Sequence, residues 1–411
     1  MSKRKSLLDY GATIGITALT SVSMLIVVGW MARALDKDEF TLYSVVTRYL
    51  GFVVAISGMA LSFAFIRVSN EGDKTRTLQA AATARTLIVA VTGLLSLPFF
   101  LALAVVHWRG IAEVDWLLPL AYVWVLSQAS FSLSNPYARF RGGVPGYARL
   151  YLIAKVAAVL LGGAGAALTG EFEAFFITVG VVSLSFQAWL WRDVQLAPLA
   201  SLDTLLAKNM FGFSASRWLD QLLRLSFPVV LITASQILIS SAVAGSIAVV
   251  YLVAKSMESV LQPLVVAVMM RNVGRKDVNR GVWMAWLFAV LITLGVFFGR
   301  PLVESAFALY LGPSFLDLVP AAWIVLLSAG SLISLNFLRA LNDNRFRVSP
   351  MLSVNVICVV LLPVGVAFCD SVDAVAVLIA GLHISRFLLY TVVIGRLPAQ
   401  PVDLGRTAPE L

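Results

Sequence analysis

Lys255 and Glu258 stand three residues apart inside the apolar run YLVAKSMESVLQPLVVAVMM, which is long enough to cross a bilayer. That spacing puts both side chains on one helix face. A charge at the bilayer centre costs about 2.5–3.5 kcal/mol on insertion scales. Two compatible readings explain the pair. It neutralises itself to lower that cost, or Lys255 faces a hydrated cavity and meets an anionic ligand while Glu258 moderates release. Gln262 and Pro263 follow one turn later, where proline removes a ladder bond and offers a hinge.

Other polar groups share the apolar setting. Arg48 lies about one turn inside an earlier span, where it either snorkels to the interface or faces a cavity. Lys155 either snorkels towards the Arg149 end of its span or faces a cavity. His383 and Arg386 lie three apart in the last span, and Arg386 is deep enough to need a partner. Thr13, Thr17 and Thr20 form a stripe on the first apolar helix, and Thr233, Ser235, Gln236 and Ser240 decorate the seventh. Such hydroxyls bond back to their own helix or face a hydrated cavity.

These groups need membrane-spanning helices to position them. Of the 411 residues, 60% are hydrophobic and 13% charged, against about 25% charged in a soluble domain. The chain reads as an all-α polytopic membrane protein. Twelve spans are expected, near 11–32, 44–66, 84–106, 115–135, 146–168, 172–191, 225–244, 246–270, 282–299, 319–338, 349–368 and 374–395. With the N-terminus in the cytoplasm, 23 of the 31 Lys and Arg residues fall on the cytoplasmic side. The opposite side holds Arg33, Lys37, Arg109 and Arg300. This bias follows the positive-inside rule and places both termini in the cytoplasm. It also accounts for the net charge of +9 without nucleic acid.

The longest connection falls at mid-chain and mixes apolar with charged residues at helical spacing. The expected organisation is a six-helix bundle over 1–192, a cytoplasmic amphipathic linker over 193–224 lying on the inner surface, and a second six-helix bundle over 225–411 with a short tail. All outer loops are expected to be short. An offset of 207 residues places Arg48 on Lys255 and Phe40 on Ile247. Two pseudo-symmetric halves around a central cavity are the transporter pattern.

Enzyme chemistry finds little support. Cys358 and Cys369 form no disulfide framework, and His107 and His383 are too few and too distant for a metal cluster. No phosphate-cradling loop of an ATP-driven pump is present. Asp36, Asp38 and Glu39 form the one dense acidic cluster on the outer side and read as a solvated loop. No cofactor is expected. A membrane glycan polymerase or glycosyltransferase stays as the rival class.

The segments MARALDKDEFTLYSVV and SGMALSFAFIRVSNEG carry a resemblance. Arg33, Leu35, Phe40, Tyr43, Gly58 and Arg67 match the opening pattern of the polysaccharide flippases of the O-antigen repeat-unit type. These belong to the multidrug/oligosaccharidyl-lipid/polysaccharide exporter superfamily. GPSFLDLVPAAWIVLLSAG and VVLLPVGVAF also resemble the family. Thr41 departs from the usual glycine, and Gln236 stands where the second half commonly has aspartate.

The resemblance implies alternating access in the bacterial cytoplasmic (inner) membrane. It implies a cargo of a polyprenyl-diphosphate-linked glycan drawn from among the membrane lipids. Arg48 and Lys255 would hold the diphosphate, with Glu258, Arg33, Thr17 and Gln236 as further binding residues. Glu258, His383 and Arg386 are candidates for coupling to H+ or Na+. Glycan polymerase or synthesis enzymes are the expected protein neighbours. A drug or cation extruder, or a lipid II-type flippase of the same superfamily, remains the alternative.

Overall fold

The computed structural model describes residues 3–107, 117–194, 203–272, 278–342 and 349–396. The expectations for Arg109, part of the linker (195–202) and the C-terminal tail lie outside the described residues, as do four of the cations counted on the cytoplasmic side, Arg275, Lys276, Arg345 and Arg347. So do the side chains of Gln262 and Pro263, and with them the hinge, although the backbone there is helical. Among the described residues every regular element is a helix.

The chain forms two compact units. The first comprises Met1–Glu39 and Val46–Leu225, the second Phe40–Val45 and Ser226–Leu411.

In the first unit, α1 (Lys3–Ala34) is followed by α2 (Lys37–Gly58). Asp36 caps α2 by accepting from the Glu39 amide at 2.7 Å, and Asp38 and Glu39 place negative charge at the positive end of the helix. Met59 and Ala60, both left-handed at φ 45° and 49°, break α2 from α3 (Leu61–Asn70). Then come α4 (Lys74–His107) and α5 (Leu117–Arg149).

Gly143 interrupts α5 with φ 61° and ψ −154°, a conformation that glycine adopts at little cost. The chain folds back there, and Asn135 meets Tyr151 at 3.4 Å while the rings of Phe131 and Tyr151 lie 5.3 Å apart. The returning arm continues as a π-helix (Leu150–Ala157) and α6 (Ala158–Thr169). A ladder of buried polar bonds ties α7 (Glu173–Leu190) to this hairpin. Ser183 donates to the Ala154 carbonyl at 2.8 Å, Gln187 to the Ser127 carbonyl at 3.0 Å, and the Trp191 indole to Ser134 at 2.8 Å.

Helix α6 packs closely on both sides. A Cβ on Gly162 would lie 2.7 Å from Val179 of α7, and one on Gly163 would lie 2.6 Å from Val27 of α1.

From Thr204 on, the stretch expected as a surface linker is the first part of α8 (Thr204–Leu238), a continuous helix that also takes in 225–238 of the expected seventh span. No glycine separates Gly212 from the C-terminal end of α8, and Pro228 is accommodated within it. Trp218 donates to the Ala55 carbonyl at 3.0 Å, and the Arg217 guanidinium sits 4.6 Å over the Phe63 ring. Part of this stretch is therefore packed against α2 and α3.

In the second unit, α9 (Ser241–Asn272) and α10 (Val278–Phe298) are followed by α11 (Arg300–Leu311), a short 3-10 turn (Pro313–Leu318), α12 (Val319–Leu326) and α13 (Ala329–Asn342). Helices α14 (Ser349–Val366) and α15 (Val372–Arg396) complete it. The connection between α10 and α12 is thus a structured element rather than a short loop. A core of Ala285, Ala289, Leu335, Phe337, Leu338, Phe387 and Tyr390 joins α10, α13 and α15.

Nine helical segments among the described residues are long and apolar enough to cross a bilayer. One of them, Tyr122–Thr169, folds back at Gly143 and supplies two crossings. The pair Pro313–Leu326 and Ala329–Leu338, bent by 40°, adds another, and the shorter apolar helix Leu352–Val366 makes the twelfth.

The glycine contacts yield a stability test. Gly163→Ala should cost about 1–3 kcal/mol through overpacking against Val27. Gly15→Ala, with nothing within 4 Å of the added Cβ, should not lower stability. Thermal unfolding of both variants in detergent checks this, and equal midpoints would contradict the close α1–α6 approach.

Candidate functional site

The irregular point of the second unit is the bend between α12 and α13. In hydrocarbon a broken helix must have its freed backbone groups satisfied from elsewhere in the protein. Here Thr293 on α10 donates to the Leu327 carbonyl at 3.0 Å. The Ser328 hydroxyl donates to the Val325 carbonyl at 2.7 Å and lies 3.0 Å from Nδ1 of His383 on α15. The bend therefore brings a histidine to a helix break.

Lys255 and Glu258 reach the same place from α9. Together with Tyr251, Ala254, Val325, Leu326, Ala329, Leu332 and His383 they line one pocket. Its free volume of about 10 Å³ for the centre of a water-sized sphere accommodates about one water. Lys255 Nζ donates to Glu258 Oε1 at 2.7 Å. The two ends of this pair differ in exposure. The lysine side chain is 39% exposed and the glutamate 3%. The carboxylate is thus an internal counter-charge, and the lysine is the exposed member of the pair.

His383 is buried, with the rings of Phe227 and Tyr251 at 5.2 and 6.3 Å. Arg386, one turn further along α15, is buried and donates from Nη2 to Asn355 Oδ1 at 2.5 Å. Its guanidinium also lies 5.8 Å from the Phe227 ring. The partner that its depth requires is therefore an amide on α14.

Lys255, Glu258 and His383 thus share one pocket. Arg386 is anchored beside it, and Gln236, half-buried on α8, is not among the lining residues. Thr17, Arg33 and Arg48 belong to the first unit. Thr17 Oγ1 lies 3.4 Å from the Tyr147 hydroxyl, Arg33 is exposed in the last turn of α1, and Arg48 is half-buried in α2. Of the rest of the α1 stripe, the Thr13 side chain lies outside the described residues and Thr20 turns back on its own helix. Thr20 donates to the Ile16 carbonyl at 3.0 Å. Ser23, on the next turn, donates to the Leu19 carbonyl at 2.8 Å.

Lys155 does not snorkel. It donates to Gln128 across the α5 hairpin, and its ammonium lies 4.6 Å from the Phe131 ring centroid. Gln128, on the opposing arm, is thus an internal partner for the ammonium. Sequence reasoning also missed Ser328, Tyr251 and Asn355. The small pair Ala329-Gly330 just after Ser328 was the available signal for the bend.

No family model matches the chain, and no curated protein sequence matches it. Solved structures do. An inward-facing multidrug resistance MATE family transporter of the MOP superfamily aligns with a TM-score of 0.59 at 13% identity, covering 92% of this chain and 92% of that one. An outward-facing transporter of the same family aligns at 0.56 and 11%, covering 96% of each chain. A MOP superfamily transporter from Pyrococcus furiosus, described as having a binding pocket of reverse polarity, aligns at 0.56 and 12%, covering 96% of this chain and 98% of that one. These likenesses establish the fold. The chain is an all-α, multi-span membrane protein with a MATE-like architecture.

The site separates structural from exposed cations. Asn355→Leu should leave an acceptor of the buried Arg386 missing and cost about 1–3 kcal/mol. Lys255→Gln, at a partly exposed position, should cost less than about 1 kcal/mol. Thermal denaturation of the two purified variants reads the difference. A larger loss for Lys255→Gln would reverse the assignment.

Proposed function

We propose that this protein is a membrane transporter that moves a polyprenyl-diphosphate-linked oligosaccharide across the bacterial cytoplasmic membrane by alternating access through a cationic cavity. The observation that carries the reading is the asymmetry of the Lys255–Glu258 pair, whose lysine side chain is part-exposed while its carboxylate is buried. A site meant for a cationic drug would present the carboxylate instead.

The chemistry of the cargo fits. A diphosphate accepts charge-assisted hydrogen bonds from lysine and arginine, the glycan requires a hydrated path, and the polyprenyl tail stays in lipid. Lys255 and Arg48 are the proposed diphosphate ligands, supported by Arg33, Thr17 and Gln236. Glu258 keeps Lys255 from holding its ligand too tightly. With room for about one water between them, Glu258 and His383 are the proposed groups for a coupling H+ or Na+. Glycan polymerase or synthesis enzymes are the proposed neighbours. The same fold occurs in structures described as inward-facing and outward-facing, which supports alternating access.

A second reading, extrusion of drugs or organic cations, is favoured by the multidrug resistance transporters among the structural neighbours. The two readings differ in the sign of the transported group.

Reconstitution in liposomes with a fluorescent polyprenyl-diphosphate oligosaccharide separates them. Protein-dependent translocation is expected, with Lys255→Gln and Arg48→Gln each slowing it about tenfold or more, the equivalent of one lost charge-assisted bond. Unchanged transport in both variants would sink the mechanism. Transport of organic cations in place of the lipid-linked glycan would establish the extruder.

A further inference from the structure

The first unit carries a second candidate site. The tip of the α5 hairpin and the C-terminal end of α7 enclose a cavity of about 270 Å³. Arg141, Arg149 and Arg192 line it, with Phe186 and Trp189 on one wall. This space is far larger than the one-water pocket beside His383. Gly142 and Gly146 leave its floor without side chains, and a Cβ on Gly146 would lie 2.7 Å from the Ala138 carbonyl oxygen.

The arginines play different parts. Arg141 is held in place, donating from Nη1 to the Leu190 carbonyl at 3.0 Å and from Nη2 to Asp193. Arg149 is exposed at the start of the returning arm. The Arg192 guanidinium is exposed, 3.6 Å from Asp193 at its Nε and 5.8 Å from the Trp189 ring. Asp193 offsets one of the three positive charges, so the cavity keeps a positive excess.

The surface leading away from this cavity is apolar. Ile177, Val181 and Trp189 share one exposed face of α7, with Ser185 between the last two, and Leu152 and Ile153 are exposed on the π-helix. Tryptophan is enriched at the level of lipid head groups. A basic pocket above an exposed apolar stripe, at the end of membrane helices, matches the two parts of an anionic phospholipid.

We propose that this cavity binds the phosphate of an anionic phospholipid, with the acyl chains lying along the Val181–Trp189 face of α7. By the charge bias of the loops, the lipid comes from the cytoplasmic leaflet. The site is separate from Lys255 and does not depend on what the protein transports.

Native mass spectrometry of the purified full-length protein tests it, with phosphatidylglycerol and phosphatidylcholine of identical chains added in turn. The wild type should retain phosphatidylglycerol about tenfold better, since each basic residue near an anionic surface contributes about 1 kcal/mol. The double variant R149Q/R192Q, which keeps the Arg141–Asp193 pair, should lose that preference. R76Q, an exposed arginine paired with Glu71 elsewhere in the unit, should keep it. D193N should raise retention by removing the competing carboxylate, an effect that a purely structural role would not produce. Equal retention by R149Q/R192Q and wild type, or an equal loss in R76Q, would overturn the proposal. Displacement of the lipid by millimolar inorganic phosphate would also overturn it, because the site would then take a free anion.

Discussion

A polar group in hydrocarbon has no water to turn to, so its partner must come from the protein. The irregular places in this chain are organised around that requirement. Where α12 gives way to α13, Thr293 covers the Leu327 carbonyl and Ser328 bonds Val325. Where α7 meets the α5 hairpin, Ser183, Gln187 and Trp191 supply a buried ladder. At the α12–α13 bend and along the π-helix, a side chain from a neighbouring helix supplies a bond to the backbone. The same requirement concentrates chemistry at those positions, since the groups that satisfy a break are themselves polar. His383 reaches the Ser328 hydroxyl at one of them.

Charge obeys a stricter version of the same rule. Arg386 meets an amide, Lys155 meets an amide and an aromatic ring, and Lys255 meets a carboxylate. The first two arrangements leave a positive charge buried or half-buried within its own unit. In the third the lysine side chain is part-exposed while its counter-charge is hidden. That difference makes Lys255 the part-exposed member of its pair and Arg386 a fastening between α14 and α15. A residue type and its depth are insufficient for this distinction, because the sequence places both cations at similar depth in apolar spans.

The helices themselves were legible because a bilayer demands long apolar runs, and those runs stand out in the composition. Less legible was how consecutive runs join. Gly142-Gly143 reads in sequence as a loop, and the structure makes it a tight hairpin whose arms exchange contacts between Phe131 and Tyr151. The stretch from Thr204 to Leu225 has the charge pattern of a surface helix. Its indole and guanidinium nevertheless find partners at Ala55 and Phe63, contacts between residues more than 150 positions apart that no local pattern encodes. The same limit applies to the site. Spacing placed Lys255 beside Glu258 on one helix face, but only tertiary packing brings His383 and the α12–α13 bend to them.

The contacts of α1 bear on the order in which the protein is made. Thr17 meets Tyr147 across 130 residues of chain, and Val27 abuts Gly163 further along still. During synthesis α1 therefore enters the bilayer long before the helices that will cover it exist. Thr20 and Ser23 already donate to Ile16 and Leu19 within α1, so their hydroxyls need no later partner. The first helix can wait in lipid as a self-contained rod. The glycine-lined face of α6 then closes on it once the second arm of the hairpin has been threaded in.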